Sequence, residues 1–154
     1  MKSSIKNTLL LTVMILSACS QASSDAKVTR PNSPVVVPDG LPFSEYVQVG
    51  NMIYLSGQIG ISPGTLKVVD GGLEAETRQT LDNIKAVLES QGHSLKDIIK
   101  CTIMMDDITQ WAAFNKVYST YFTDNYPARS AFGADGLGLG AAVEIDCIAV
   151  ANQN

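Results

Sequence analysis

Two short runs of alternating character, Tyr46-Val47-Gln48-Val49 and Met52-Ile53-Tyr54-Leu55, flank the pair Gly50-Asn51. β-Branched and aromatic residues broken by a turn dipeptide predict two strands joined as a hairpin. The loop beyond carries Ser62-Pro63-Gly64 and Asp70-Gly71-Gly72, and then the period changes. Leu73, Thr77, Leu81, Ile84 and Leu88 recur at three- and four-residue spacing, which predicts an amphipathic helix that Gly92 can close. Residues 97–107 form an apolar run bounded by acids and read as a strand. Helical spacing returns with Trp111, Phe114, Tyr118 and Tyr121 or Phe122, with Asp107 or Thr109 available as a cap. Tyr126-Pro127 should end this second helix, because a residue before proline is driven out of the α region. Residues 128–136 and 141–150 then read as two last strands joined by the glycine-rich stretch "GLGLG". The order strand, strand, helix, strand, helix, strand, strand predicts an α+β sandwich with helices packed on one face.

Upstream of this pattern the chain has a different character. Lys2 and Lys6 precede an apolar run from Leu9 to Leu16 interrupted only by Thr12, and small residues then lead to Cys19. A basic start, a short apolar stretch and small residues describe a secretory signal over residues 1–18, too short to serve as a spanning helix. "LSAC", Leu16 to Cys19, resembles a bacterial lipobox, which makes Cys19 the expected lipidation site. The expectation is an exported, membrane-anchored lipoprotein facing the periplasm or cell exterior. Residues 19–34, small, polar and punctuated by proline, read as a flexible tether, and residues 35–154 as the folded domain.

Composition narrows the function classes. The chain has 154 residues, 45% hydrophobic and 17% charged, which suits one globular domain with an ample core. Its net charge is −4, and removing residues 1–18 takes away two lysines and no acid. A nucleic-acid partner is not expected, because such a protein needs a basic face. Cys101 and Cys147 sit in apolar stretches without a Cys-x-x-Cys pair or a nearby histidine, so a zinc set is not expected. Buried thiols are the favoured reading of both; export would permit a disulfide, and the sequence leaves the choice open. His93 lies in a polar turn context. Gly136, Gly138 and Gly140 do not form a dinucleotide fingerprint, because a strand rather than a helix follows them.

Four ordered stretches, "PFSEYVQVGNMIYLSGQIG", "TRQTLDNIKAVLES", "NYPARSAF" and "VEIDCIAV", together resemble the RidA/YjgF reactive-intermediate deaminases, a family also labelled L-PSP endoribonuclease or translation-inhibitor proteins. The resemblance runs from Leu41 to Val150. It implies a chorismate-mutase-like sandwich with a mixed sheet and two helices on one face, a homotrimer with ligand clefts between subunits, and hydrolysis of 2-imino or enamine acids to 2-keto acids and ammonia without a metal or organic cofactor. It assigns the essential arginine to Arg129 and its acidic partner, across the last hairpin, to Glu144. It also assigns Ser56, Gly57 and Asn115 to substrate binding. Two positions depart from the family pattern: Phe43 stands where many members have tyrosine, and Ala131 where cysteine is frequent. Phe43 offers an apolar wall in place of a hydroxyl, which favours a more hydrophobic imino acid.

The chemistry of these residue types fits that reading. An arginine presents a planar fork that grips a carboxylate through two parallel hydrogen bonds, and a glutamate can accept a proton from an attacking water. The rival reading keeps the carboxylate grip without turnover, as a binding module for a small acid. Without the resemblance, Arg129 and Glu144 would read as a salt bridge between neighbouring strands. Ribonuclease activity follows from the family label alone, and the acidic chain argues against it.

Overall fold

The computed structural model describes residues 26–31 and 34–151. The signal segment 1–18, Cys19 and residues 20–25 of the expected tether lie outside the described residues. Within them the strands are β1 (Val28–Thr29), β2 (Tyr46–Val49), β3 (Met52–Leu55), β4 (Gln58–Ile59), β5 (Ile98–Met105), β6 (Ala128–Gly133) and β7 (Val143–Val150). The helices are α1 (Gly72–Glu89) and α2 (Trp111–Tyr121). The strands form one sheet in the order β1-β2-β3-β7-β5-β6, with β4 also paired to β7. Among the described pairings β5–β6 is parallel and the rest antiparallel, which makes the sheet mixed. This is the α+β architecture that the resemblance implies.

Strand alternation sets the layers. In β7, Val143, Ile145, Cys147 and Ala149 are buried while the residues between them are partly exposed. In β5, Cys101, Ile103 and Met105 are buried on the same face. A register shift between Ile98 and Lys100 lets Ile98 face inward too, despite its odd spacing from Cys101. Against this face pack Leu73, Leu81, Ile84 and Leu88 of α1, at the spacing read from the sequence. Each fully buried aliphatic contributes roughly 1.5–3 kcal/mol relative to exposure.

Two buried polar groups, Asn83 and Glu45, tie the layers together through hydrogen bonds to backbone. The Asn83 amide of α1 donates to the carbonyls of Ile59 and Ile61, both at 3.0 Å, and accepts from Gln79 at 2.8 Å. Glu45, 1% exposed, accepts the backbone N–H groups of Val35, Val36 and Val37 at 2.6, 2.7 and 2.9 Å, pinning the chain ahead of the hairpin. Gly60 must be glycine, since a β-carbon there would stand 2.7 Å from the Cα of Glu76 in α1.

Several expectations are corrected. Part of the expected tether belongs to the sheet: Val28 and Thr29 pair with Val49 and Gln48. α2 ends at Tyr121, with Phe122 already extended, before the Tyr126-Pro127 signal is reached. The last two strands are not a hairpin, because β5 lies between β6 and β7 and pairs with both. The "GLGLG" connection contains a turn of 3-10 helix, Gly138–Gly140. Cys101 and Cys147, which face each other across β5 and β7, form a disulfide, so the favoured reading as free thiols gives way.

Candidate functional site

The spacing of α2 turns one stripe of rings toward the edge of the sheet, and Arg129 of β6 is seated on it. Its guanidinium carbon lies 4.5 Å from the centre of the Trp111 ring, 4.9 Å from that of Tyr118 and 5.9 Å from that of Phe114. Arg129 also donates to the Asn115 side-chain oxygen at 2.9 Å. Ring faces attract a cation without using its N–H groups, so most of the fork stays available for a ligand. Tyr118 is only 3% exposed, and burial pushes its phenol up to about 12, with the Arg129 charge working against the rise. It stays a neutral ring. Ala131, two residues along β6 and exposed, shares the face of Arg129.

A second group gathers at a cavity of about 310 Å³ whose lining includes Phe43, Gly57, Leu66, Leu139 and Glu144. Glu144 belongs to β7 and points away from the helices, its neighbours Val143 and Ile145 being buried beneath them. A β-carbon at Gly57 would collide with the Glu144 carboxylate, so that close approach requires glycine. Partial burial raises the Glu144 carboxyl above its ordinary range, and the Asp146 charge adds to the rise. Such a group is a better proton acceptor than a free carboxylate. Ser56 is not part of this lining; its hydroxyl donates to the Ser44 carbonyl at 2.6 Å and latches the end of β3 to the segment before β2.

The residues assigned by resemblance therefore separate into two groups. Arg129, Asn115 and Ala131 stand together, and Phe43, Gly57 and Glu144 stand together. The expectation that Glu144 faces Arg129 across a hairpin is overturned. Arg129 is in register with Cys101 and Glu144 with Met104, three positions along β5 and on its two sides. Three residues of rise and two strand spacings put their backbones about 14 Å apart. They also point to opposite faces, since Cys101 is buried under the helices and Met104 is not. Sequence reading missed the aromatic seat, because a ring stripe at helical spacing reads the same whether it fills a core or holds a cation. It also passed over Leu66 and Leu139.

The profile of the family described as Endoribonuclease L-PSP matches residues 38–151. A RutC family protein of Pyrococcus horikoshii is 42% identical over 108 residues, which cover 70% of this chain and 86% of that protein. A Mus musculus protein named 2-iminobutanoate/2-iminopropanoate deaminase is 38% identical over 109 residues, 71% of this chain and 81% of its own. The crystal structure of yeast Mmf1 superposes with a TM-score of 0.76 at 31% identity, covering 82% of this chain and all of that one, 100%.

Proposed function

This chain belongs to the Endoribonuclease L-PSP family, the RidA/YjgF group, and we propose that it hydrolyses 2-imino or enamine acids to 2-keto acids and ammonia. The mouse relative carries that activity in its name. The observation that carries the reading is the pair of complementary half-sites: an arginine fork left free by its aromatic seat, and a desolvated carboxylate at the wall of a cavity.

In this reading Arg129 holds the substrate carboxylate, and Asn115 fixes the direction of the fork. A protonated imine carbon is already electrophilic. Glu144 takes a proton from water as the oxygen bonds to that carbon, giving a carbinolamine. Proton transfer to nitrogen then breaks the C–N bond, releasing ammonia as the carbonyl forms. No small acid can touch both residues within one protomer at their separation, so the site assembles between copies, Arg129 from one and Glu144 from its neighbour. A homotrimer, with three equivalent clefts closed by rotation, satisfies every half-site. Ribonuclease activity is not proposed, since the chain carries a net charge of −4.

The domain from residue 35 onward is proposed to be held at a membrane by a lipid on Cys19 after export. The Cys101–Cys147 disulfide supports export, because disulfides persist in oxidising compartments. Cys19→Ser should move the protein from the membrane fraction to the soluble one; unchanged fractionation removes the anchor. The function is tested by feeding the chain enzymatically generated 2-iminopropanoate and measuring ammonia and pyruvate together. Matched release above the uncatalysed rate is expected. A chain that binds 2-keto acids yet accelerates no imine hydrolysis is a carboxylate-binding module instead.

A further inference from the structure

We propose that Leu139, with Leu66 and Phe43, selects 2-imino acids bearing branched or aromatic side chains over the alanine-derived one. The proposal rests on the deaminase reading of the same cavity and names its substrate class.

Leu139 is the one non-glycine residue with positive φ among the described residues, at φ 57° and ψ 18°. Left-handed backbone is disfavoured for a residue with a β-carbon, and glycine would adopt it freely. The turn is rich in glycine, with Gly138 and Gly140 on either side, yet the left-handed position carries a leucine. That leucine is 56% exposed in the single protomer, so packing in the protomer's own core does not account for it. Leu139 is part of the lining of the Glu144 cavity. A strained position at the wall of a site is where a functional constraint is expected.

Two further large apolar side chains line the same cavity from other parts of the chain. Leu66, on the loop between β4 and α1, is 50% exposed, and Phe43, ahead of β2, is 49% exposed. Three half-exposed hydrophobic side chains around one concavity form a surface that an apolar group would cover. Glu144 is the one charged residue of the lining, and its carboxylate lies against Gly57. A substrate whose reacting carbon stays beside Glu144 has only its side chain left to extend along these walls. About 310 Å³ is more room than a methyl group fills. Each additional methylene buried multiplies affinity roughly fourfold, so a leucine-type side chain on half-open walls should gain roughly tenfold over methyl.

The test measures binding and turnover separately on the full-length chain in detergent micelles. Calorimetric titration with pyruvate and with 4-methyl-2-oxopentanoate reports binding of the two product side chains. kcat/KM for the imines generated from alanine and leucine reports turnover. Wild type should bind the larger keto acid roughly tenfold more tightly and show a similar kcat/KM preference. Leu139→Ala should cut both ratios to about threefold or less, and Leu139→Met, which keeps the volume, should restore most of them. Equal or tighter pyruvate binding, or a ratio unmoved by Leu139→Ala, overturns the proposal. The two readings fail in distinguishable ways. Tighter binding of the larger acid with no turnover of either imine upholds the selectivity and sinks the deaminase. Turnover of both imines at equal kcat/KM does the reverse.

Discussion

Arg129 stands exposed on an edge strand and is held by ring faces, whereas Glu144 sits at the wall of a cavity that Gly57 keeps clear for it. The difference follows from the two chemistries. A guanidinium is charged at every accessible pH, so its environment has only to aim it, and Trp111, Tyr118 and Asn115 do so without occupying most of its donors. A carboxylate must be tuned as well as aimed, and burial beside Asp146 raises its proton affinity. In the proposed reaction one half binds and the other reacts, and each is incomplete alone.

The reactive half should be the more sensitive to a change of one atom. Glu144→Gln keeps the shape and removes the proton acceptor, so kcat should fall about 10²- to 10⁴-fold with little change in keto-acid affinity. A loss confined to KM would move Glu144 from the reacting group to the binding group. Next in size is the covalent link between β7, which carries Glu144, and its neighbour β5, which lies between β7 and the strand of Arg129. Cys101 and Cys147 close a loop with a sequence separation of 46. By chain entropy such a loop is worth about 4 kcal/mol, so Cys101→Ala/Cys147→Ala should lower the denaturation midpoint accordingly. An unchanged midpoint would mean the β5–β7 ladder holds without it.

The binding half should respond less steeply. Arg129→Lys keeps the charge and loses the fork, and a hydrogen bond to a charged group is worth about 1.5–3 kcal/mol, so keto-acid affinity should drop about 10- to 100-fold. An unchanged affinity would show that charge alone suffices. The smallest effect concerns stability. Because Glu144 is raised in the folded chain, the folded state holds its proton more tightly than the unfolded one, and stability from this group falls as pH rises above the ordinary value of 4.5. Glu144→Gln should therefore have a higher Tm than wild type at pH 7, by an amount that vanishes as pH falls below 4.5. A Tm difference independent of pH would separate the effect from this carboxyl.

Local order was legible in the sequence, and long-range order was not. Leu73, Leu81, Ile84 and Leu88 are buried as their spacing required, and Gly50-Asn51 turns the hairpin between β2 and β3. The place of β5 could not be read, because an apolar run shows that a strand is buried without showing which strands flank it. That one unknown hid both the Cys101–Cys147 pairing and the separation of Arg129 from Glu144. β1 and β4, two residues each, are too short to carry a period. The site residues came from motif resemblance, which names residues and not the faces they occupy. Ser56 illustrates the limit, since its hydroxyl is engaged with the Ser44 carbonyl.

The central claim is that each working site takes Arg129 from one copy and Glu144 from another, and subunit mixing tests it most directly. Arg129→Ala and Glu144→Gln chains, each inactive alone, are unfolded together in equal amounts, refolded, and assayed for keto-acid release against refolded wild type. Random assembly pairs an intact Arg129 with a neighbour's intact Glu144 in about a quarter of the sites, so about a quarter of wild-type activity should return. If both residues serve one site within a single protomer, every site carries a defect and the mixture stays as inactive as its components.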